Sequence, residues 1–416
     1  MALTCADASA QALDIRIGNP GRVGDKPGGF PNVKKLTDGT ILVAASEGGH
    51  QPITGESVMR LRSHLKSGGG LSDEELTKAG IPKDINLCRG YWAVRSSDGG
   101  KSWSPVTNDV ARVFAASSCG TFSELADGTL LANYVFSINT ADGQELITWR
   151  SNDKGQTWSK ARFTPLICPP QRDLAWGEGV IGGCFYSRIL DLPDKSLLLF
   201  GHTQFEGDRK YRVVVLRSTD QAKSFHYYAT VAYEDNSSST LRPLGFCEPE
   251  AVRLKTGEIL CFMRTAEYEP LFVSRSTNDA RTWSSPQRIG VDGILPTPVL
   301  LDNGVLALSY GRPGVWLIFS TDNGRWWTDK RCIWTWNSLW GEGHLPKTRH
   351  YSTPGYHTFE RSDCNARMTQ IAPNKLLLVY NAPIDATSSP NAAAIDYHEG
   401  PGQSGIWGVI INVTRN

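Results

Sequence analysis

The sequence predicts an all-β protein, a single six-bladed β-propeller of four-stranded antiparallel blades spanning residues 1–416. Two repeats that alternate along the chain predict this architecture, because a fixed-spacing repeat is the signature of stacked, equivalent units. The first is an eight-residue pattern that occurs at residues 96–103, 151–158, 218–225, 276–283 and 320–327. The second is a turn signal between two apolar runs, found at residues 38–39, 127–128, 194–195, 256–257, 303–304 and 374–375.

The eight-residue pattern has the chemistry of a tight turn. Each copy starts with Ser, carries Asp or Asn two residues later and ends in an aromatic residue, as in Ser96, Asp98 and Trp103. The Asp side chain can accept hydrogen bonds from the backbone amides ahead of it, and a Gly two residues further on tolerates a positive φ. Each copy follows a β-rich run, so we expect a hairpin turn. The pattern is the Asp-box, and through it the chain resembles the sialidase-type β-propellers.

The second repeat sets the number of blades. Each turn signal joins two apolar strands into a hairpin. Five of these hairpins are followed by an Asp-box hairpin and the sixth by residues 405–413, which predicts six four-stranded blades. The last blade is one strand short. We expect residues 13–17 to supply that strand and close the ring, since closure removes unpaired strand edges.

Composition excludes several classes of function. The net charge is +1, which gives no electrostatic case for nucleic acid or an acidic membrane surface as a partner. No apolar run reaches the roughly 20 residues of a membrane span. The 13 tryptophans suit a protein that binds sugars, and the nine scattered cysteines match no zinc-ligand spacing. We predict no cofactor and no catalytic metal.

Topology predicts which end of the blades carries the site. The starts of first strands and the ends of second strands share one face around the axis, where propeller ligands bind. That face is predicted to collect Glu47, His50, Tyr134, Tyr186, Arg188, His202, Glu248, Glu250, Arg264, Arg312, Asn365, Arg367 and Tyr380. Two long loops lie on the same face, at residues 48–90 and 331–363, and loops of that length are more often functional than idle. The first contains Ser72 and Glu75, a capping box that predicts a short helix.

Residues 246–264 carry the sharpest local signal, with Glu248 at the start of one strand and Arg264 at the end of the next. They resemble the sialidase segment in which the Glu orients and activates a tyrosine nucleophile and the Arg helps to bind the carboxylate of sialic acid. The resemblance implies these roles for Glu248 and Arg264, and a structural ion pair is the alternative. Pro249 is expected to hold Glu248 in an extended conformation.

Two positions depart from the sialidase pattern. Phe30 and Pro31 stand where sialidases open the first inner strand with Arg-Ile-Pro, so one arginine of the carboxylate clamp is missing. The tyrosine nucleophile is missing too, and Cys364 or Asn365 occupies its region. We therefore expect a substrate other than sialic acid. Its predicted ligands are Arg264, Arg312, Arg188, Arg367, Tyr186 and Asn365.

Three classes of function fit these residues. Glycoside hydrolysis needs two carboxyl groups, or one carboxyl group and another nucleophile; Glu248 and Glu250 lie on one side of a strand, and Asp73 is the candidate acid/base in the first loop. A His near neutrality can instead remove the C5 proton of a uronic acid, so His50 and His202 predict a polysaccharide lyase. The third class is a propeller that binds a glycan or a protein without catalysis.

Together these observations predict a sialidase-like glycoside hydrolase, exo-acting on a terminal, anionic sugar of a glycan or polysaccharide. The stereochemical outcome, the linkage and the oligomeric state are left open. Residues 1–12 lack the basic end and apolar core of a signal peptide. The compartment is therefore open as well, with a secreted or periplasmic location expected if a signal peptide was removed.

Overall fold

The computed structural model describes residues 12–47, 59–67, 69–81, 86–87, 91–106, 121–172, 181–235, 244–266, 269–311, 314–334, 365–383 and 404–416. β-Strands dominate these residues, which confirms the all-β class. Two short helices interrupt the strands, α1 (Leu61–Ser67) and α2 (Asp73–Lys78). Within the described ranges, no helix has the length and apolar character to cross a membrane.

The strands follow one another with short connections wherever both partners are described. The first fourteen are β1 (Leu13–Ile17), β2 (Gly21–Lys35), β3 (Ile41–Glu47), β4 (Met59–Arg60), β5 (Asn86–Leu87), β6 (Tyr91–Ser96), β7 (Ser104–Pro105), β8 (Phe122–Glu124), β9 (Leu130–Thr140), β10 (Gly143–Ser151), β11 (Arg162–Ile167), β12 (Ile181–Cys184), β13 (Leu190–Asp191) and β14 (Leu197–Thr203). The others are β15 (Arg212–Ser218), β16 (Phe225–Ala232), β17 (Cys247–Arg253), β18 (Ile259–Arg264), β19 (Pro270–Ser276), β20 (Gln287–Asp292), β21 (Ile294–Leu300), β22 (Leu306–Gly311), β23 (Val315–Ser320), β24 (Thr328–Trp334), β25 (Ala366–Ala372), β26 (Lys375–Pro383) and β27 (Ser404–Arg415).

The described strands form sheets of unequal size. An eight-stranded sheet has the order β25-β26-β27-β2-β3-β6-β7, with β1 on β27, and a nine-stranded sheet has the order β10-β11-β16-β15-β14-β12-β9-β8, with β13 on β14. Two sheets have four strands, β17-β18-β19-β20 and β21-β22-β23-β24, and β4 pairs with β5. The prediction of six separate four-stranded blades is therefore wrong.

The large sheets arise from a long strand that pairs on both sides and from a pairing between strands of different predicted blades. In β2, Gly21 to Pro27 pair with β27 and Gly28 to Lys35 pair with β3, so one 15-residue strand joins two groups that the repeat count separates. At the other large sheet, β11 pairs in parallel with β16 through Leu166 and Ile167. These hydrogen bonds are non-local, and turn signals carry no information about them.

The predicted contribution of residues 13–17 is confirmed. They form β1, which pairs antiparallel with β27 in a register that sets Leu13 opposite Arg415 and Ile17 opposite Ile411. The amide of Asn416 adds a hydrogen bond to the carbonyl of Ala12 at 3.1 Å. The two ends of the described chain are therefore held in one sheet.

The five copies of the repeated turn close with the same hydrogen bonds, and each joins antiparallel neighbours as predicted. In every copy the first Ser accepts, through Oγ, the amide four residues ahead at 2.8–3.0 Å. In the first copy, Oδ1 of Asp98 accepts the amides of Lys101 and Ser102, each at 3.0 Å. The side chain thus replaces backbone partners that the turn itself lacks.

An arginine directly before the first Ser ties successive turns together. Arg95 donates to the carbonyl of Lys154 at 2.8 Å, and Arg150 donates to the carbonyl of Ala222 at 3.1 Å. Arg275 donates to the carbonyls of Asn323 and Gly324 at 3.0 and 2.6 Å. Each of these guanidinium groups leaves its own turn and caps the backbone of the next one.

The capping box predicted in the first long loop is confirmed. The amide of Glu75 donates to Oγ of Ser72 at 3.1 Å, and the amide of Ser72 donates to Oε2 of Glu75 at 2.7 Å. The helix α2 that follows is anchored by Leu76, which is fully buried, and by a hydrogen bond from the amide of Ala141 to the carbonyl of Ala79. Of the other predicted loop, residues 331–334 belong to β24 and residues 335–363 lie outside the described residues.

Candidate active site

Three strands share the same backbone distortion. It lies near the start of β17, which carries Glu248, near the start of β21 and, within β2, near the start of the part that pairs with β3. Phe30, Glu248 and Leu295 each precede a proline and have φ angles of 46°, 49° and 47°. The strand register shifts at each of these points, as in a β-bulge. The prediction that Glu248 is extended is therefore wrong: the bulge imposes a left-handed φ that costs a residue other than Gly roughly 1–2 kcal/mol. Such strain is concentrated at functional sites.

The carboxylate of Glu248 lies between two sheets. Its Oε1 is 2.7 Å from Nη2 of Arg264, at the end of the neighbouring strand β18, and each side chain is 15% exposed. Its Oε2 accepts the amide of Leu295, in the next sheet, at 3.3 Å. The predicted pairing of Glu248 with Arg264 is thus present, and the partial exposure of both side chains leaves them accessible to a ligand. We call Glu248, Arg264, His202, Tyr186 and Leu295 the Glu248 site.

His202 contacts the backbone of Glu248. Its Nδ1 accepts the amide of Glu248 at 3.2 Å, so a proton on the neutral ring resides on Nε2. Burial, and then the positive charge of Arg264, lower the pKa of His202 to about 3. A neutral imidazole with Nδ1 already engaged is a weak base near neutrality, and this geometry does not favour the lyase chemistry considered for His202.

Tyr186 places a phenol against the same group. Its ring meets that of His202 edge-on, with centroids 6.3 Å apart, and the guanidinium carbon of Arg367 is 5.4 Å from its ring centre. Burial, followed by the negative charge of Glu248, raises the pKa of Tyr186 well above its ordinary value. Its buried hydroxyl has no hydrogen-bond partner among the described residues. The phenol is therefore a neutral donor beside Glu248 whose hydrogen bond is not used within the described part of the chain.

Glu250 has a different environment. It is 1% exposed, and its carboxylate binds Nε of Arg188 at 2.9 Å and Nη1 of Arg367 at 2.6 Å. Arg188 also donates to the carbonyls of Pro298 at 2.8 Å and Met368 at 3.2 Å. We call Glu250, Arg188 and Arg367 the Glu250 cluster. Because these groups satisfy one another, their arrangement favours a structural role over the catalytic and substrate-binding roles predicted from sequence.

The remaining predicted site residues are dispersed. Asp73 is 60% exposed and pairs with Arg62 at 3.2 Å and with Lys66, whose hydrogen bond is the main cause of its lowered pKa. Among the described residues, none of its hydrogen bonds or ion pairs reaches Glu248 or Glu250. Asn365 is buried, and its side-chain amide has no partner in the described part of the chain. His50 and Arg312 lie outside the described residues.

A family comparison identifies the chain. The model of the BNR repeat-like domain matches residues 120–357, more than half of the sequence. The chain belongs to that family. Sialidases are among the solved structures that share its fold, which confirms the predicted membership of the sialidase-like superfamily. A comparison with curated protein sequences finds no match.

Solved structures resemble this BNR repeat-like protein over nearly its whole length. A protein of unknown function from Dyadobacter fermentans matches with a TM-score of 0.64 and 17% identity, covering 96% of this chain and 99% of that one. An α-L-arabinofuranosidase from Fusarium graminearum matches at 0.54 and 14%, covering 96% and 98%. A sialidase from Streptococcus pneumoniae matches at 0.51 and 13%, covering 94% and 70%. The two named enzymes are glycoside hydrolases, and at these identities the likeness shows a shared fold.

Sequence reasoning on this BNR repeat-like protein missed Leu295 as a contributor to the site, and it named His202 without the contact that the ring makes. The amide of Leu295 binds Glu248, and the engaged Nδ1 of His202 fixes the backbone of the same residue. One signal for Leu295 was in the sequence: Phe30, Glu248 and Leu295 all precede a proline. No group of three or more His, Cys, Asp or Glu side chains that could hold a metal ion is found within the described ranges.

Proposed function

We propose that the chain is a glycoside hydrolase of sialidase-like type, exo-acting on a terminal, anionic sugar of a glycan or polysaccharide other than sialic acid. The observation that carries the proposal is the Glu248–Arg264 pair, a partly exposed carboxylate and guanidinium 2.7 Å apart, near the hydroxyl of Tyr186, which has no partner among the described residues. An anionic sugar meets three complementary groups there: a cation, a neutral donor and a carboxylate. The known glycosidases with the same fold support this class of reaction.

The three groups have distinct tasks in the proposed reaction. Arg264 binds the acidic group of the sugar, because a guanidinium carries five donors and can hold Glu248 and a second carboxylate together. Tyr186 donates a hydrogen bond to a sugar oxygen. Glu248 orients the nucleophile or accepts its proton while the glycosidic C–O bond breaks. The acid/base partner is assigned, as a proposal, to the loop of residues 48–90, with Asp73 as its candidate.

The choice against sialic acid rests on two positions. Phe30, at a strained bulge in β2 like the bulge at Glu248, is an exposed aromatic side chain at the place where sialidases carry an arginine of the clamp. Asn365, in the region expected to supply the tyrosine nucleophile, has a buried amide. The site therefore lacks a cation at Phe30 and a phenol at Asn365. A site with these two groups missing suits a smaller anionic sugar.

A product assay on a panel of anionic and neutral oligosaccharides tests the class. We expect release of a monosaccharide. Ultraviolet absorbance from a new C4–C5 double bond would instead identify a lyase, and binding without turnover would identify a glycan-binding module.

Glu248→Gln tests the assignment of the site. We expect kcat/KM to fall by about 100-fold or more, because the variant keeps the shape of the side chain and removes the charge that acts on the nucleophile. The melting temperature should change little, since the amide can still accept the hydrogen bond from Leu295. Glu74→Gln, on the exposed face of α2, is the matched control and should behave as the wild type. Wild-type kcat/KM in Glu248→Gln would remove Glu248 from the mechanism.

A further inference from the structure

The fifth copy of the repeated turn differs from the other four at its seventh position. Ser102, Thr157, Ser224 and Thr282 occupy that position in the first four, and each hydroxyl hydrogen-bonds to the Asp or Asn of its own turn. The fifth copy has Trp326, which gives up this bond and is 69% exposed. Its amide still binds Oδ1 of Asp322 at 2.9 Å, so the turn closes without help from the indole. The hydrogen bonding of the turn therefore does not account for a tryptophan at this position.

Trp326 borders a groove between the two four-stranded sheets. The groove has a volume of about 830 Å³ and lies between β20 on one side and the turn and strand β24 on the other. Its floor contains the buried Ile289 and Ile318 and part of Trp327, all within one hydrophobic cluster that spans the two sheets. The floor is thus packed into the core of the two sheets, and the volume is in the range of a small-molecule site.

The rim of the groove is cationic. Arg288, Arg325 and Lys330 line it, all exposed, and the one acidic residue of the lining, Asp329, is paired with Arg331 at 3.1 Å. Among the described residues, the side chain of Arg288 makes no hydrogen bond or ion pair, and its guanidinium carbon lies 5.9 Å from the ring centre of Phe272. These charges are local, because the whole chain carries a net charge of only +1. The groove therefore suits an anionic ligand.

We propose that this groove binds an anionic polysaccharide chain, with one sugar ring stacked on Trp326 and its acidic groups near Arg288 and Arg325. Among the described lining residues, Trp326 is the one large apolar side chain that is exposed, whereas Ile289 and Ile318 are buried in the floor. One exposed indole beside charges fits a sugar better than a protein, whose interface core requires several apolar residues in contact. The small net charge disfavours nucleic acid. The choice of a glycan rests on the proposed function, whereas the groove lies apart from the Glu248 site and is a second site for the polymer.

Affinity electrophoresis tests the proposal with gels that contain polygalacturonate, a uronate polymer, or arabinan, a neutral polymer. We expect the wild type to be retarded by polygalacturonate and unaffected by arabinan. Trp326→Ser should weaken the interaction by about tenfold, the loss of roughly one good contact. Serine is the residue that the repeat itself uses, so this variant should fold with a melting temperature close to that of the wild type. Arg288→Gln should also weaken the interaction.

Glu248→Gln separates this proposal from the proposed function. Retardation that persists in Glu248→Gln and is reduced about tenfold in affinity in Trp326→Ser supports the groove, whether or not any glycan is hydrolysed. Equal retardation of the wild type and Trp326→Ser overturns the proposal. Trp326-dependent binding of single-stranded DNA in place of polygalacturonate, or a Trp326-dependent dimer in sedimentation experiments, would also overturn it in favour of a nucleic acid or a second copy of the chain.

Discussion

Glu248 and Glu250 are two residues apart in β17, yet their carboxylates have different surroundings. Glu250 is enclosed by two guanidinium groups, whereas Glu248 is partly exposed and touches one guanidinium and one amide. The bulge between Cys247 and Glu250 separates them, because an extra residue in a strand changes the direction of the side chains that follow it. The Glu250 carboxylate is thereby paired within the fold, whereas the Glu248 carboxylate stays partly exposed.

Replacing Glu250 tests that assignment. Glu250→Gln leaves the buried Arg367 and the half-buried Arg188 without their counter-charge, and we expect the free energy of unfolding to fall by about 3 kcal/mol. Chemical denaturation measures the loss, with Glu206→Gln on the exposed surface as the control. A fully stable Glu250→Gln with no activity would return Glu250 to the catalytic set.

The pH dependence of His202 gives a second test at this scale. Its pKa falls from an ordinary value of 6.5 to about 3 in the folded protein, so unfolding favours protonation. The corresponding stability is present above about pH 6.5 and is lost as the pH falls toward 3. We therefore expect no His202 titration between pH 5 and 8 in NMR spectra, and a wild-type advantage over His202→Gln that shrinks on acidification. A His202 resonance that titrates near pH 6.5 would contradict the buried, neutral ring.

The sequence predicts those features of the site that depend on residues close together in the chain. Strand alternation and one hairpin turn suffice to bring Glu248 beside Arg264, and both can be read from consecutive residues. The contacts of Glu248 with Leu295 and of Glu250 with Arg367 join residues 47 and 117 positions apart. Such contacts depend on how sheets meet, which periodicity does not encode. Roles for Arg188 and Arg367 as substrate ligands were inferred without that information.

At the scale of the elements, the repeated turn closes its own hairpin and is hydrogen-bonded to the next hairpin. Its internal hydrogen bonds use residues within the motif, whereas the arginine that precedes it reaches the backbone of the following copy. Arginine occupies this position in four of the five copies. Arg95, Arg150 and Arg275 reach the next turn, whereas the fourth, Arg217, donates to Ser196, Tyr228 and Asp194. The turns were predicted because their chemistry lies within eight residues. The sheet sizes were not, since continuous strands such as β2 extend beyond any single turn.

Arg275→Lys tests the hydrogen bonds that join one turn to the next. An ammonium group cannot span the carbonyls of Asn323 and Gly324 as the planar guanidinium does, and hydrogen bonds to charged groups contribute about 1.5–3 kcal/mol each. We expect the melting temperature to fall by several degrees at unchanged net charge. Arg16→Lys, in an exposed pair with Asp14, is the control and should leave it unchanged. Equal melting temperatures for both variants would contradict the role.

On the scale of the whole molecule, one feature joins several sheets and a second joins the two ends of the described chain. The Glu250 cluster joins four sheets: Arg188 follows β12 of the nine-stranded sheet, Glu250 lies in β17, Pro298 in β21 and Arg367 in β25. The second feature is β1, which unites the two ends of the described chain on β27. The Glu248 site therefore lies beside a junction that fixes several sheets at once, and such a junction keeps catalytic groups in register.

Removal of β1 tests the second feature. Deletion of residues 1–17 exposes the edge of β27 and the hydrophobic cluster against which Leu13 and Ile15 pack, so we expect a loss of about 2–3 kcal/mol in unfolding free energy. The exposed edge should also promote association through strand pairing, visible as larger species in light scattering. Deletion of residues 1–11, which leaves β1 in place, is the matched control. If the two deletions melt together and remain equally monodisperse, β27 does not depend on β1, and the ends of the chain contribute nothing to stability.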